Sequence, residues 1–414
     1  MRSLLFLQAC LAAVGVSASN VDLEENIYDA QAYKPRQLMT RQIRPAAPVS
    51  GPRIGGPVWK PQIGQKVQVI LDRRVAQLTQ FSRVTPEQAD IWDLDLFDTT
   101  KQTIDVLHAN GKRVICYLSV GGSESWRPDF LTIPKSDLGD VMPKWKGERY
   151  LNLRSPTVWR LMQDRIKMAY DKGCDGIDPD NVDPFNDDFE RGGGFTPPLT
   201  EADSVDYLRN LSAEAHYYGM AVGMKNAESI LANVTDFIEF AVNEECATYS
   251  TDEDGCMLYV PFLAKGKPVF HFEYVNVNSP SLFSRGAPSI QSVYKNWANL
   301  SSADILSYYC LQNNFGFPYL PNSTVGAMFS TAVKKLDLGG WVMYCDGTYA
   351  ETPTAQTVGG PDRELDPGWR GKESQRGGKG KSGGLEMTSP TGPQAGGSPS
   401  GGLLGWLTGG GRDS

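Results

Sequence analysis

The sequence predicts an α/β fold over residues 57–350, a (β/α)8 barrel, and three observations predict it. Short apolar, β-branched runs recur along this stretch, and helix-like segments with clear start and stop residues separate several of them. The polar residues that interrupt the runs gather at their C-terminal ends, the face where such barrels do their chemistry. An open, doubly wound sheet is the runner-up architecture.

In chain order, VQVIL (67–71) opens the series, and IWDLDL (91–96) follows with Asp93 and Asp95 near its end. TTKQTIDVLHANGK reads as a helix that Gly111 stops. The third run, RVICYLSV (113–120), brings Tyr117 and Ser119 up to Gly121 and Gly122. SPTVWRLMQDRIKMAYDKG is a longer helix: Ser155 before Pro156 starts it, Gly173 ends it, and Val158, Leu161, Met162, Ile166 and Ala169 share one face. GIDPD (176–180) ends in Asp178 and Asp180, and TEADSVDYLRNLSAEAHYYG is a helix bounded by Thr200 and Gly219. The last four strands are AVGMKN (221–226) ending in Lys225 and Asn226, FIEFAVNE (237–244) ending in Asn243 and Glu244, PVFHFEY (268–274) ending in Glu273 and Tyr274, and GGWVMYC (339–345) ending in Tyr344 with Asp346 beyond.

Outside this domain the composition changes. Residues 1–18 combine Arg2, an apolar run from Leu4 to Val16 and small residues up to Ala18, the pattern of a cleavable secretory signal. The run is too short to span a bilayer, and no other stretch spans one. Residues 19–56 lack helical or strand period and read as a disordered N-terminal arm, and residues 351–414 as a disordered tail rich in Gly, Ser and Pro. The tail's LLGWL patch is too short for a lipid-anchor signal.

Secretion decides how the cysteines read. Cys10 leaves with the signal, and Cys116, Cys174, Cys246, Cys256, Cys310 and Cys345 remain, an even set in an oxidising compartment. Cys246 with Cys256 is the first expected disulfide and Cys310 with Cys345 the second, while Cys116, inside an apolar run, serves equally as a buried thiol. Sequons at Asn210, Asn233, Asn299 and Asn322 fit a glycoprotein. A formal net charge of −8 disfavours a nucleic-acid partner and accommodates a cationic or neutral one.

Residues two apart in a strand share a side, so Asp178 projects with Asp180 and Asp93 with Asp95. Crowded carboxylates raise one another's pKa toward the range an acid needs. Glycoside hydrolysis uses such a pair, one carboxylic acid protonating the leaving oxygen while a carboxylate attacks the anomeric carbon or activates water. Trp92, Tyr117, Trp126, Tyr274 and Tyr344 offer aromatic planes to sugar C–H faces, although Trp92, Trp159 and Trp341 also suit core packing. Other readings are weaker. Asp178 before Pro179 also suits a cap or βα turn. DPDNVD opens like a calcium loop, but Val182 stands at its fifth position and no Gly follows. With only His108, His216 and His271 available, a histidine-rich metal centre is not expected, and neither is any cofactor. Lys225 as a Schiff-base lysine conflicts with acidic neighbours that keep it protonated.

Long signatures carry a family resemblance. They are W-x-P at Trp59–Pro61 with VQVIL, DLDLFDT (93–99), VICYLSVGGSESWRPDF (114–130), WKGERYLNLR (145–154), KGCDGIDPDNVD (172–183), AEAHYYGMAVGMKN (213–226), VNEEC (242–246) and PVFHFEY. The chain resembles glycoside hydrolase family 114, the secreted endo-α-1,4-polygalactosaminidases. The resemblance implies a barrel hydrolase that cuts inside α-1,4-linked galactosamine-containing polysaccharide, with no metal. It makes Asp180 and Glu244 the catalytic carboxylates, Asp180 as nucleophile and Glu244 as acid/base, with Asp178 a third carboxylate able to share those roles. Asp93, Asp95, Asp178, Tyr117, Lys225, Asn226, Glu273 and Tyr274 would hold sugar. A partly deacetylated polymer is cationic, in keeping with the acidic site, and a monomer is expected to suffice. A catalytically silent polysaccharide-binding protein on the same barrel is the alternative function, and metal-assisted hydrolysis through the aspartates is a third.

Two features depart from that family pattern. NDDFERGGGFTPP, ahead of Leu199, is a long insertion containing Asp187, Asp188 and Glu190, either a tolerated surface loop or a mobile acidic lip on the groove. Cys174 stands where the family leads one to expect an aromatic residue, which opens a bridge to Cys116.

Overall fold

Strand register, more than helix packing, decides which side chains meet at the site. The protein is described here by a computed structural model covering residues 54–355 except 144, 146, 188–190, 250–254, 275–302, 304–305, 307–308, 311–322 and 336. The expected signal, nearly all of the arm, most of the tail, and the sequons at Asn299 and Asn322 lie outside the described residues.

Five parallel strands form one sheet in chain order: β1 (Val67–Ile70), β2 (Ile91–Asp95), β3 (Arg113–Ser119), β4 (Gly176–Asp180) and β5 (Ala221–Val222). Three more parallel strands, β6 (Ala241–Glu244), β7 (Val269–Tyr274) and β8 (Ser330–Lys334), belong to a second sheet. A parallel bridge between Lys225 and Val242 joins the two sheets just beyond β5. The three longest helices among the described residues are α1 (Lys101–Ala109), α2 (Pro156–Lys172) and α3 (Glu201–Tyr217). Their ends follow capping chemistry. The Thr100 hydroxyl accepts from the Thr103 amide, Ser155 caps α2 ahead of Pro156, and Thr200 and Asp203 form a reciprocal capping box. Gly173 closes α2 at φ 95°, a conformation that favours glycine. The expected stripe of α2 is buried, and Arg165 is buried with it.

The final expected strand is a correction. GGWVMYC does form a strand, β9 (Trp341–Tyr344), but it runs antiparallel to β8, pairing Tyr344 with Ala332. The eighth parallel strand is the short, polar Ser330–Lys334. Only residues 335–340 separate β8 from β9, and a parallel crossover needs a dozen or more residues. Reversal also carries Tyr344 and Asp346 away from the C-terminal ends of the parallel strands. Lys66, just ahead of β1, pairs with Asp346 at 2.5 Å and lies 5.0 Å from the Tyr344 ring centroid.

Among the described residues no ladder joins β8 to β1, so side chains and a turn bind this seam. Lys334 Nζ donates to Gln68 Oε1 (3.0 Å) and the Gly339 carbonyl (2.8 Å), and Gln68 Nε2 donates to the Gly340 carbonyl and Thr352 Oγ1. The Leu71 amide reaches the Leu338 carbonyl. Burial pushes the Lys334 amine down to about 7, against the nearby Asp337 and Glu351.

Three disulfides are present: Cys246–Cys256, Cys310–Cys345 and Cys116–Cys174. The last ties β3 to the loop after α2, so Cys116 is not a free thiol. Between β3 and α2 the chain adds a small antiparallel sheet of Gly122–Glu124, Leu138–Val141 and Glu148–Leu151.

The described part of the insertion is not a loose acidic lip. Asp187 is buried, accepting from the Arg191 and Gly193 amides, and Arg191 pairs with Asp140 at 2.8 Å. Gly194, at φ 81°, lies so close to Asp140 that a Cβ would come within 2.4 Å of that carboxylate. The Asp187 side chain therefore closes its own loop.

Candidate active site

Two carboxylates stand at the ends of β4 and β6, and each is held by a tyrosine. Tyr117 of β3 donates its hydroxyl to Asp180 Oδ2 at 2.7 Å, and Tyr274 of β7 donates to Glu244 Oε1 at 2.5 Å. Burial, and then the carboxylate each faces, raises the pKa of both phenols, so they remain hydroxyl donors. Lys225 completes the bridge between the two halves. Its Nζ is 3.3 Å from Glu244 Oε2 and 5.1 Å from the Tyr117 ring centroid. Burial by itself lowers that amine's pKa, but Glu244, Asp180, Asp178 and Asp93 together raise it, so Lys225 stays an ammonium and is no Schiff-base nucleophile. Asn226 binds Glu244 twice, its Nδ2 to Oε2 at 3.3 Å and its Oδ1 to the Glu244 amide at 2.9 Å.

Beneath this layer lie Asp93 and Asp178, each 1% exposed. No donor from a third residue reaches either Asp178 oxygen or Asp93 Oδ1, and the two carboxyls share a side-chain hydrogen bond with each other. Burial raises both pKa values. For Asp93 the next cause is Asp178; for Asp178, Lys225 opposes the rise while Asp180 and Glu244 add to it, leaving that carboxyl at about 7. Two buried acids beside an ammonium retain a proton that solvent-exposed aspartates would have lost.

The structure thus brings together Asp180, Glu244, Tyr117, Tyr274, Lys225, Asn226, Asp178 and Asp93. Two expected sugar contacts stand apart. Asp95 is gripped by Arg127 Nη1 (3.0 Å) and Nη2 (2.5 Å) and by the Phe97 and Asp98 amides. Glu273, wholly buried, accepts from the Ala247 amide at 2.7 Å and pairs with His271 Nε2 at 2.7 Å.

Sequence reading missed three features. Left-handed residues follow three of the charged groups at the site: Asn181 (φ 59°) after Asp180, Asn226 (φ 50°) after Lys225, and Glu245 (φ 63°) after Glu244. Backbone held this way by non-glycine residues is costly and concentrates at functional sites. Glu245 itself is fully buried with both oxygens unpartnered, its pKa raised by burial and by Glu273 and Glu244. The doubled Glu of VNEE was the available signal, since neighbouring residues of a strand cannot face the same way. The third is the buried ion-pair cluster of Asp95, Glu124, Arg127, Asp129 and Arg165, whose signal was an arginine on the apolar stripe of α2.

Comparison with known proteins places the chain. Residues 52–350 match the profile of Glycoside-hydrolase family GH114. Among solved structures, the chain is similar to Aspergillus fumigatus Ega3 in complex with galactosamine, at 36% identity over 70% of this chain and 98% of that one, with a TM-score of 0.53. It is also similar to the glycoside hydrolase domain of PelA from Pseudomonas aeruginosa, at 13% identity over 70% of this chain and 99% of that one, with a TM-score of 0.41. Curated protein sequences give no match.

Proposed function

The chain belongs to glycoside hydrolase family GH114, and from that premise we propose that it cuts galactosamine-containing polysaccharide internally, with Asp180 and Glu244 as the reacting carboxylates. The observation that carries this reading is the pairing itself. Two strand-end carboxylates are each anchored by a tyrosine hydroxyl, and one buried ammonium, 3.3 Å from Glu244, feels the charge of both.

In the proposed reaction Glu244 enters carrying a proton; as Asp180 attacks the anomeric carbon and the glycosidic C–O bond breaks, Glu244 gives that proton to the departing oxygen. Glu244 then takes a proton from the water that releases the sugar from Asp180. Tyr117 fixes the direction of Asp180, and Tyr274, Asn226 and Lys225 fix that of Glu244, so little reorientation is left for the transition state. The chain's formal net charge of −8 suits a substrate bearing ammonium groups. Three disulfides fit an oxidising compartment, in keeping with secretion directed by residues 1–18.

The test is reducing-end release from partly deacetylated α-1,4-linked galactosamine polymer by wild type, Asp180→Asn and Glu244→Gln, with and without chelator. Release by wild type that survives chelator and is lost in both variants supports the reading. Binding of polymer without release by wild type overturns it in favour of a polysaccharide-binding protein, and release abolished by chelator overturns the metal-free chemistry.

A further inference from the structure

Behind β3 lies a cluster of charges buried more completely than Asp180 and Glu244. Arg165 of α2 is wholly buried; its Nε and Nη2 grip the two oxygens of Asp129 at 2.8 and 2.9 Å, and its Nη1 donates to the Ser119 carbonyl at 2.7 Å. Arg127 grips Asp95 and Glu124 in the same way. The two guanidiniums share one ring, with Arg127 Cζ 4.5 Å and Arg165 Cζ 5.0 Å from the Phe97 centroid. Such an arrangement is poor value as a stability device, because desolvating each ion costs several kcal/mol and well-packed apolar residues often serve as well or better.

The cluster's contacts lead to one place. Ser119, whose carbonyl Arg165 holds, is the register partner of Asp180. The Ser119 hydroxyl accepts from Asn181 Nδ2 at 2.9 Å, and that same amide lies 3.4 Å from Asp180 Oδ2. Asp95, which Arg127 holds, is the register partner of Tyr117, the residue that donates to Asp180. The Leu96 amide, one residue on, binds the Tyr117 carbonyl at 2.9 Å.

We propose that Arg165, seated on Asp129, is a positioning residue for Asp180: by holding the Ser119 carbonyl it sets the end of β3, and through Ser119 and Asn181 the aim of the Asp180 carboxylate. Arg127 serves the same carboxylate through Asp95 and Tyr117. This inference rests on the role of Asp180 proposed above. It accounts for the WRPDF stretch, whose Arg127 and Asp129 belong to the cluster and touch none of the reacting groups described here.

Arg165→Met by itself strands the Asp129 charge and risks misfolding, so the decisive variant is Arg165→Met with Asp129→Leu, which removes both ions together. The measurements are the melting temperature, kcat and KM on the galactosamine polymer, and affinity for galactosamine oligomers. The expected result is a double variant that folds, with KM and oligomer affinity within about threefold of wild type and kcat down on the order of 10²-fold, the scale of misplacing a reacting group by about 1 Å. Arg165→Lys, which keeps one donor for Ser119 or Asp129, is expected to fall between the two. A folded double variant with wild-type kcat overturns the positioning role and leaves the carboxylate assignment standing. A double variant that does not fold, beside an Arg165→Lys that folds with wild-type kcat, overturns it also and makes the cluster purely structural. A wild-type chain that binds polymer without cutting overturns the proposed reaction itself, and positioning for it falls as well.

Discussion

The two ends of the barrel treat buried charge in opposite ways. At the base, carboxylates are paired to completion. Asp175 receives His108 (2.8 Å), Arg113 (2.5 Å) and the Val114 amide (2.8 Å), and Glu239 receives His216 (2.9 Å) and the Val222 amide (3.0 Å). Burial works against ionised Asp175, but those donors outweigh it and hold its pKa below the usual carboxylate range. At the catalytic end, Glu245 has no partner for either oxygen and Asp178 meets only Asp93, and the pKa values of Asp93, Asp178 and Glu245 are all raised. The base uses its carboxylates for cohesion, whereas at the other end Asp95 and Glu273 are paired likewise but Asp93, Asp178 and Glu245 are kept with raised pKa values, as expected when chemistry is confined to one face of such a barrel.

That contrast yields tests in descending order of effect. The sharpest is Asp180→Asn or Glu244→Gln, each expected to lower kcat by on the order of 10³-fold or more while the melting temperature moves by only a few degrees. Retention of more than a tenth of wild-type kcat in either variant would remove that carboxylate from the chemistry. The base should respond in reverse. Asp175→Ala is expected to cost about 1–2 kcal/mol in chemical denaturation, because it strands the buried Val114 amide while His108 and Arg113 turn to water, with kcat within about twofold. Since the native pKa of Asp175 is lowered, the stability it contributes is fully present above its unfolded value near 3.9 and is lost as pH falls through the native value, so the wild-type advantage should vanish in acid.

Asp178 gives the opposite slope. Folded, it keeps its proton up to about pH 7, whereas an unfolded aspartate loses it near 3.9, so the native chain binds more protons between these values and stability declines as pH rises from about 4 to about 7. Asp178→Asn should flatten that decline and stabilise the protein at pH 7 by on the order of 1–2 kcal/mol, read from denaturation midpoints across pH. An unchanged slope would assign the proton elsewhere. The smallest effect is expected at the insertion, where Asp187→Asn should cost about 1 kcal/mol or less and leave polymer affinity unchanged. A clear loss of affinity would restore the acidic-lip reading.

Much of this was legible in the chain because it is local. The long helices declared their ends through Ser155 with Pro156 and Gly173, and through the Thr200 cap. Alternation along GIDPD and the strand-end position of VNEE placed Asp178, Asp180 and Glu244 on the right face. The eighth parallel strand was not legible, since STAVK is too short and polar to announce itself and only its neighbours bury it. Asp95 and Asp93 read identically two positions apart. The difference is Arg127, more than thirty residues away, which reaches Asp95.

The sequence by itself determined the helix boundaries, most of the strands and which carboxylates crown them, because capping and periodicity act over a few residues. Tertiary structure alone decided which of those carboxylates acquire partners and which remain in want of them. Pairing is settled by residues distant in the chain, and a buried charge takes its pKa from whatever the fold packs around it.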